Sequence, residues 1–182
     1  MNNIDKFLDA FKEEITKVYG ANLVLAGSNV LMLHGLRTSW SPEDLDIAIY
    51  EPTVDQVKYI ANEDNFEPCM SYDTAEELGI QQRAWKKTKD GLTLNFILEY
   101  STPKPQVVLL YPYDGLLFQV NNIETIISAK LSYSVGEEKS FVRRKDAWHL
   151  SELKNCNFNV PKPTLPHISS LPATKKTLNA QI

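Results

Sequence analysis

The sequence predicts a domain of the α/β (α+β) class, because strand patterns and helix patterns alternate along the chain. Residues 23–26 and 47–50 are short apolar runs of the kind expected for buried strands. Between residues 3 and 19, apolar side chains recur at helical spacing, and Gly20 supplies a C-terminal stop. The chain has 182 residues, which is enough for one well-buried domain.

The segment after the first strand is predicted to leave the sheet and then return to it. Residues 30–33 have the pattern of a short helix that ends near Gly35. Residues 36–43 are rich in Ser and Thr and contain a proline, so they are predicted as a loop. After the second strand, residues 55–60 are predicted as helix and residues 64–71 as irregular.

A β-hairpin is the next predicted feature. The turn Lys89-Asp90-Gly91 separates residues 82–88 from an alternating strand at residues 92–98. Residues 107–110 and 116–120 are predicted as two further strands.

The C-terminal part is predicted to be helical and then extended. A helix begins at Ile123 with Asn122 as its cap, and it belongs to a helical part over about residues 122–154. Four of the ten prolines lie in the last 22 residues, a density that excludes helix and central strand. We expect one domain over residues 1–155 and a Pro-rich extension over residues 156–182, either flexible or docked on this or a neighbouring subunit.

The charge distribution argues against one class of function. The net charge is −4, and residues 155–182 contain three lysines and no acid, so residues 1–154 carry −7. Broad, sequence-independent binding of nucleic acid depends on many Lys and Arg contacts to phosphates, which an acidic body disfavours. A local contact stays open, and two small basic clusters exist for which solvated surface is the plain interpretation: Arg83 with Lys86, Lys87 and Lys89, and Arg143-Arg144-Lys145.

Membrane, secretory and zinc-binding signals are missing from the sequence. No apolar run approaches the roughly 20 residues that cross a bilayer, and the N-terminal segment lacks the apolar core of a secretory signal. We therefore expect a cytoplasmic protein that does not bind membranes. Cys69 and Cys156 belong to no Cys-x-x-Cys pair, and the three histidines form no ligand group, so neither a zinc site nor a disulfide framework is indicated.

The most informative motif pairs Gly27-Ser28, after the first strand, with Asp44-Leu45-Asp46, at the start of the second. Strand side chains alternate, so Asp44 and Asp46 share a face with Cα atoms about 6.6 Å apart and can share magnesium ions. Gly27-Ser28 lies where a strand turns into a helix, which suits a phosphate chain. A common turn or surface charge explains either half alone, and only the combination predicts a site for a metal-bound nucleoside triphosphate.

These residues resemble a known family. Leu25-Ala26-Gly27-Ser28 with Asp44-Leu45-Asp46-Ile47 is similar to the signature of the nucleotidyltransferase-fold superfamily, which includes polymerase-beta-like and minimal nucleotidyltransferases. Residues 127–131 (ISAKL) and 143–150 (RRKDAWHL) resemble the helical Lys and Lys-Asp motifs of its AbiEii-like branch, known from bacterial abortive-infection and toxin–antitoxin systems. The resemblance spans about residues 20–153, and it implies a mixed sheet flanked by helices with a short C-terminal helical part.

The resemblance also implies an activity and a set of site residues. Such an enzyme transfers a nucleoside monophosphate from an NTP to a hydroxyl on a nucleic acid such as tRNA, a protein or a small molecule, and releases pyrophosphate. The implied roles are triphosphate binding by Gly27, Ser28 and Arg37, binding of Mg²⁺ or Mn²⁺ by Asp44 and Asp46, and catalysis by these two aspartates with Lys130 and Asp146. Ordinary helix-surface positions explain Lys130 and Asp146 equally well.

Two features depart from the family pattern. The family often has a basic residue and Ser or Thr close before the first Asp, whereas Arg37-Thr38-Ser39 lies further away in this chain. Many members carry a third carboxylate on a neighbouring strand, where this chain has the neutral Asn95, whose amide oxygen is expected to ligate the metal. Glu99 lies four residues further along the strand, about 13 Å away, which is too far to replace it. Two hypotheses follow: an active enzyme, or a catalytically inactive module that binds nucleotide and acts as a homodimer or through an antitoxin-like partner.

Overall fold

The structure is a computed structural model that describes residues 3–35, 43–69, 72–77, 79, 81–107 and 109–134. The helices in these ranges are α1 (Asn3–Ala10), α2 (Lys12–Val18), α3 (Val54–Ile60), α4 (Tyr72–Glu77) and α5 (Ile123–Ser134), with a 3₁₀ turn at Ser28–Leu31. The strands are β1 (Leu23–Ala26), β2 (Asp44–Tyr50), β3 (Glu67–Pro68), β4 (Ala84–Lys89), β5 (Leu92–Glu99), β6 (Leu109–Tyr113) and β7 (Leu116–Val120). Among the described residues, no helix has the length and apolar character needed to cross a membrane.

The described strands form one mixed sheet in the order β3-β4-β5-β2-β1-β7-β6. β1 is parallel to β7 and β2 is parallel to β5, whereas the other neighbouring pairs are antiparallel. Helices pack on this sheet, so the predicted α/β fold class with a mixed sheet is confirmed. β2 has a partner strand on each side, and its backbone is therefore held along most of its length.

Alternation along the central strands separates two faces of the sheet. Leu45, Ile47 and Ile49 of β2 are fully buried in the main core, where α1 contributes Phe7 and the junction with α2 contributes Phe11. The opposite face carries a smaller apolar cluster made of Val24, Ala26, Ala48 and Tyr50, with Val107 packed against it. The intervening residues of β2, Asp44 and Asp46, belong to this second face and are only partly buried.

Two tight hairpins define the register at both sides of the sheet. Asp90 and Gly91 link β4 to β5 with φ values of 51° and 79°, and Asp114 and Gly115 link β6 to β7 with 47° and 78°. Positive φ at both central residues is the type I′ geometry that matches the twist of paired strands. The first hairpin is predicted from the sequence; for the second, the strand at residues 116–120 is confirmed, whereas the strand predicted at residues 107–110 is observed at Leu109–Tyr113 and continues through Pro112. This proline is tolerated since β6 lies at the sheet edge.

The helix predicted over residues 3–19 is divided into α1 and α2. Phe11 separates them with φ −112° and ψ 24°, outside the helical region, while its side chain stays fully buried. The prediction of irregular structure at residues 64–71 is also wrong in part. Glu67 and Pro68 pair with β4 as a short edge strand, a contact that local sequence patterns do not reveal.

Helix caps follow the sequence closely. Asn122 accepts a hydrogen bond from the Thr125 backbone N–H at 2.7 Å and so caps α5, as predicted. Thr53 and Gln56 form a reciprocal capping box at the start of α3. The remainder of the predicted helical part, to residue 154, and the Pro-rich extension over residues 156–182 lie outside the described residues.

A buried carboxylate ties α2 to β4. Glu14 is almost fully buried, and its Oε1 accepts hydrogen bonds from Lys87 Nζ at 2.9 Å and from Lys89 Nζ. Burial alone would raise the pKa of Glu14, but the hydrogen bonds from Lys89 and Lys87 outweigh it, and the net pKa is lowered. The two lysines also lie over the rings of Phe66 and Phe11. The ionised carboxylate therefore stabilises the helix-to-sheet contact.

We expect the substitution Glu14→Gln to lower the free energy of unfolding by about 2 to 3 kcal/mol at neutral pH, because it leaves two half-buried lysines without a counter-charge. A carboxylate with a lowered folded pKa stabilises fully above its ordinary value of 4.5 and progressively less as pH falls below it. The stability difference between wild type and variant should therefore shrink in acid. Denaturant titrations at pH 7 and pH 4 measure it.

The matched control for this experiment is Glu13→Gln on the same helix. Glu13 forms an exposed ion pair with Lys17 at 3.6 Å, and such pairs contribute little. Equal losses in the two variants at pH 7 would contradict the role assigned to Glu14.

Candidate active site

The predicted site residues meet where β1 ends and β2 begins. The two strands are antiparallel, and Ala26 of β1 lies directly opposite Asp46 of β2. Gly27 follows Ala26 and starts the 3₁₀ turn, so it lies beside the aspartates even though 16 residues separate it from Asp44. Asp44 and Asp46 share the face opposite the main core, as their spacing predicts.

Gly27 and Asp46 are packed against each other. A Cβ atom at Gly27 would lie 2.9 Å from the carboxyl carbon of Asp46 and closer still to its Oδ2. The backbone of Gly27 has φ 70° and ψ −165°, a region that is essentially restricted to glycine. Only glycine therefore lets the chain turn here while a carboxylate rests on the turn.

Asn95 holds the other oxygen of the Asp46 carboxylate. It lies opposite Asp46 on the neighbouring strand β5, and its Nδ2 donates to Asp46 Oδ1 at 2.9 Å. The remaining amide oxygen of Asn95 faces the thiol of Cys69, with 3.9 Å between Sγ and Oδ1. Asn95 thus orients Asp46, and its amide would have to turn over before its oxygen could ligate a metal beside Asp46.

The start of β2 is anchored through its backbone. The fully buried Asn29 donates from Nδ2 to the carbonyl oxygen of Asp44, and its Oδ1 accepts from Asn3 Nδ2 at 2.7 Å. Asn29 therefore connects α1, the 3₁₀ turn and β2 at one point. Its position relative to Asp44 cannot be read from sequence spacing, and the only available signal is a polar residue before the apolar pair Val30-Leu31.

Two rows of polar residues extend from the aspartates across neighbouring strands of the sheet. In one row Lys86 of β4, Asn95 and Asp46 lie side by side on successive strands. In the other row Thr88, Thr93 and Asp44 are neighbours, and the two threonine hydroxyls lie 3.1 Å apart. The sequence interpretation missed Lys86 as a member of the site. Counting back from the Asp90-Gly91 turn would have placed it opposite Asn95.

Several charges act at the Cys69 thiol beside these rows. The pKa of Cys69 is raised to about 11, chiefly by burial; the charge of Lys86 opposes this rise, and the charges of Asp46, Glu67 and Asp44 add to it. The thiol therefore stays protonated at neutral pH and acts as the donor toward Asn95. It supports the amide rather than serving as a nucleophile.

The predicted set divides into residues that the structure brings together and residues that it does not describe. Five of the predicted residues lie together near the C-terminal end of β1 and the N-terminal end of β2: Gly27, Ser28, Asp44, Asp46 and Asn95. Lys130 lies in α5. This helix follows β7, whose C-terminal end lies beside that of β1 because the two strands are parallel. The side chain of Lys130 is not described. Arg37 and Asp146 lie outside the described residues. The roles of these three residues stay predictions.

The turn at Gly27 lets a ligand approach the backbone closely, but it provides only a weak helix dipole. The helix expected after β1 is a single 3₁₀ turn of four residues, with Val30 N–H bonded to the Gly27 carbonyl at 3.3 Å. A macrodipole grows from many aligned peptides, so one turn provides little of it. What remains is a backbone without a side chain at Gly27, beside a carboxylate.

The carboxylates of Asp44 and Asp46 suit a hard cation whose remaining ligands are water or substrate oxygens. Within the described ranges, no group of three or more His, Cys, Asp or Glu side chains is placed to hold a metal ion. Mg²⁺ is commonly bound through one or two carboxylates and completes its shell with water and substrate phosphates. Asp44 and Asp46 match that requirement, whereas a closed zinc site needs four protein ligands.

Comparisons with known proteins give a limited result. No protein-family model matches this chain, and no curated protein is significantly similar to it. A solved structure described as "putative nucleotidyltransferase from H. pylori" has a TM-score of 0.47 and 19% sequence identity, over 84% of this chain and 67% of that one. A second, JHP933 from Helicobacter pylori, has a TM-score of 0.47 and 20% identity, over 84% and 65%. Both structures are only loosely similar to this chain.

We expect Gly27→Ala to reduce Mn²⁺ affinity by at least about tenfold, since the new Cβ must displace the Asp46 carboxylate or distort the turn. Calorimetric titration with Mn²⁺ measures the change. Gly91→Ala is the matched control, because Gly91 also has a positive φ of 79° but nothing lies within 4 Å of an added Cβ. If both variants bind Mn²⁺ as wild type does, Gly27 does not shape the aspartate site.

Removal of the amide at position 95 tests its support of Asp46. Asn95→Leu keeps the approximate volume but loses the donor, and loss of such a support typically weakens metal binding by about 10- to 100-fold. Electron paramagnetic resonance of bound Mn²⁺ gives the affinity. Thr93→Val, which removes a hydroxyl from the same strand and face, should change it little. A smaller effect for Asn95→Leu than for Thr93→Val would refute the assignment.

Proposed function

We propose that this protein is a metal-dependent nucleotidyltransferase, which transfers a nucleoside monophosphate from an NTP to a hydroxyl acceptor and releases pyrophosphate. The observation that carries the proposal is the packing of the Asp46 carboxylate on Gly27, with Asp44 on the same face of β2. A carboxylate against a bare backbone turn lets a cation and a phosphate chain meet at one place. Neither a common turn nor scattered surface charge requires this contact.

The chain's own residues would perform binding and orientation. Asp44 and Asp46 would hold Mg²⁺ or Mn²⁺, which when bound neutralises charge that develops on the attacking and leaving oxygens. Gly27 would let the phosphate chain approach the backbone, and Ser28 lies next to it in the 3₁₀ turn. Asn95 and Asn29 would keep Asp46 and the start of β2 in place without moving a proton.

The neutral Asn95 limits how the acceptor hydroxyl can lose its proton. Its amide cannot accept a proton at neutral pH, and its NH₂ group already donates to Asp46. Among the carboxylates of β2 and β5, those of Asp44 and Asp46 lie nearest the turn at Gly27. We therefore assign proton acceptance to one of these two carboxylates, and the cation, when bound, would assist by lowering the pKa of the acceptor hydroxyl.

The acceptor and the family branch belong to the same proposal. The charge of −7 on residues 1–154 favours a protein, a small molecule or a locally contacted nucleic-acid end such as that of tRNA over an extended nucleic acid. Membership of the AbiEii-like branch, with its toxin–antitoxin setting, depends on Lys130 and Asp146 as catalytic residues.

Asn95 also supports a second candidate function. Because a third carboxylate is replaced by Asn95, the fold would also suit a catalytically silent module that binds nucleotide and acts as a homodimer or through an antitoxin-like partner. The two candidates differ in one measurable property. NTP binding that is indifferent to Mg²⁺, together with no turnover, favours the binding module.

Label transfer tests the proposed activity. We expect wild-type protein incubated with labelled NTPs, Mg²⁺ or Mn²⁺ and a cell extract to label an acceptor, and the double variant Asp44→Asn, Asp46→Asn to do so at least about a hundredfold more slowly, because the cation loses both ligands. Asn keeps the shape of the aspartates, so folding should be preserved. Asp64→Ala, in an exposed turn, is the control. Undiminished transfer by the double variant would refute the assigned site.

A further inference from the structure

The basic residues of β4 and the residue before it are divided between the two faces of the sheet. Lys87 and Lys89 lie on the main-core side, where both bind Glu14. Arg83 pairs with Glu99 at 3.5 Å at the other end of β5. Three of the four cations in this cluster are thus neutralised within the protein. The sequence interpretation of the cluster as one solvated face is therefore incomplete.

Lys86 differs from these neighbours in its face and in its pairing. It lies opposite Asn95, which in turn lies opposite Asp46, so all three project from the aspartate face. Lys86 is half-buried, yet it forms no ion pair with any carboxylate that the structure describes, although Glu67 is its direct cross-strand neighbour on β3. A partly desolvated ammonium without a counter-ion is costly, and an anion beside it would offset that cost.

We propose that Lys86 binds the phosphate chain of the nucleoside triphosphate. The inference rests on the proposed function, because the triphosphate is what Asp44 and Asp46 would hold through the cation. Two strand spacings place the Cα atoms of Lys86 and Asp46 about 10 Å apart. Gly27 follows β1 and Lys86 lies on β4, so the two flank Asp46 from opposite sides. The four-carbon stem of lysine spans much of the distance to Asp46, so the Lys86 ammonium and the Gly27 backbone can approach one phosphate chain from its two sides.

Charge favours the triphosphate over an anionic acceptor as the partner of Lys86. The phosphates of a metal-bound NTP would lie near the aspartates, since Asp44 and Asp46 would hold the cation. A polyanionic acceptor would meet the acidic body of the domain, where residues 1–154 carry −7. Asn95 is neutral, so it would not repel phosphate oxygens that lie between Lys86 and the cation, as an acid at this position would.

The test compares NTP binding by three variants of the full chain. Lys86→Met removes the charge and keeps the stem, Lys86→Arg keeps the charge, and Lys58→Met makes the same charge change at an exposed position on α3. Calorimetry with Mg²⁺–NTP and with Mg²⁺–pyrophosphate gives the Kd values. Thermal unfolding of each variant shows whether the fold is retained.

We expect Lys86→Met to weaken both ligands by about 10- to 100-fold, the effect of one charge-assisted hydrogen bond. Lys86→Arg should stay within about threefold of wild type, and Lys58→Met should match wild type. The affinity of Lys86→Met should also depend less steeply on salt than that of wild type.

The possible failures are distinguishable. Wild-type affinity in Lys86→Met, with NTP binding lost in the double aspartate variant, overturns the role of Lys86 and leaves the proposed function standing. Equal losses in Lys86→Met and Lys86→Arg also overturn it, because packing rather than charge would then be responsible. No NTP binding by wild-type protein overturns both.

Discussion

The packing of Asp46 on Gly27 is the constraint on which the rest of the site depends. It requires that β1 and β2 be antiparallel with Ala26 opposite Asp46, and that no side chain follow Ala26. It also requires a φ that glycine tolerates and other residues do not. A small residue and an acid that lie far apart in sequence are thereby joined into one feature.

Support for this contact comes from amides rather than from additional acids. Asn95 holds the Asp46 carboxylate from β5, and Asn29 holds the Asp44 carbonyl from the 3₁₀ turn. Amides can donate and accept at once, so they link strands without adding negative charge beside two carboxylates. A third acid would ligate a cation more strongly, but without the cation it would repel Asp46. The site therefore combines firm positioning with modest charge.

Local patterns predicted the elements whose cause is local. The β4–β5 hairpin follows from Asp90-Gly91, and the cap of α5 follows from Asn122, because a turn type and a cap each need only a few adjacent residues. The break at Phe11 and the short strand β3 escaped prediction. Each depends on packing against distant segments, which outweighs the propensity of the residues involved.

The sequence by itself determined that Asp44 and Asp46 share a face of a buried strand and that a glycine turn precedes them, since strand periodicity and glycine chemistry are properties of neighbouring residues. Only the tertiary structure decided that the turn touches Asp46, that Asn95 faces it with its nitrogen, and that Lys86 lies in the same row without an ion pair to any described carboxylate. Those relations depend on strand order and on parallel or antiparallel register. They arise from contacts between segments separated by many residues, and no local pattern specifies them.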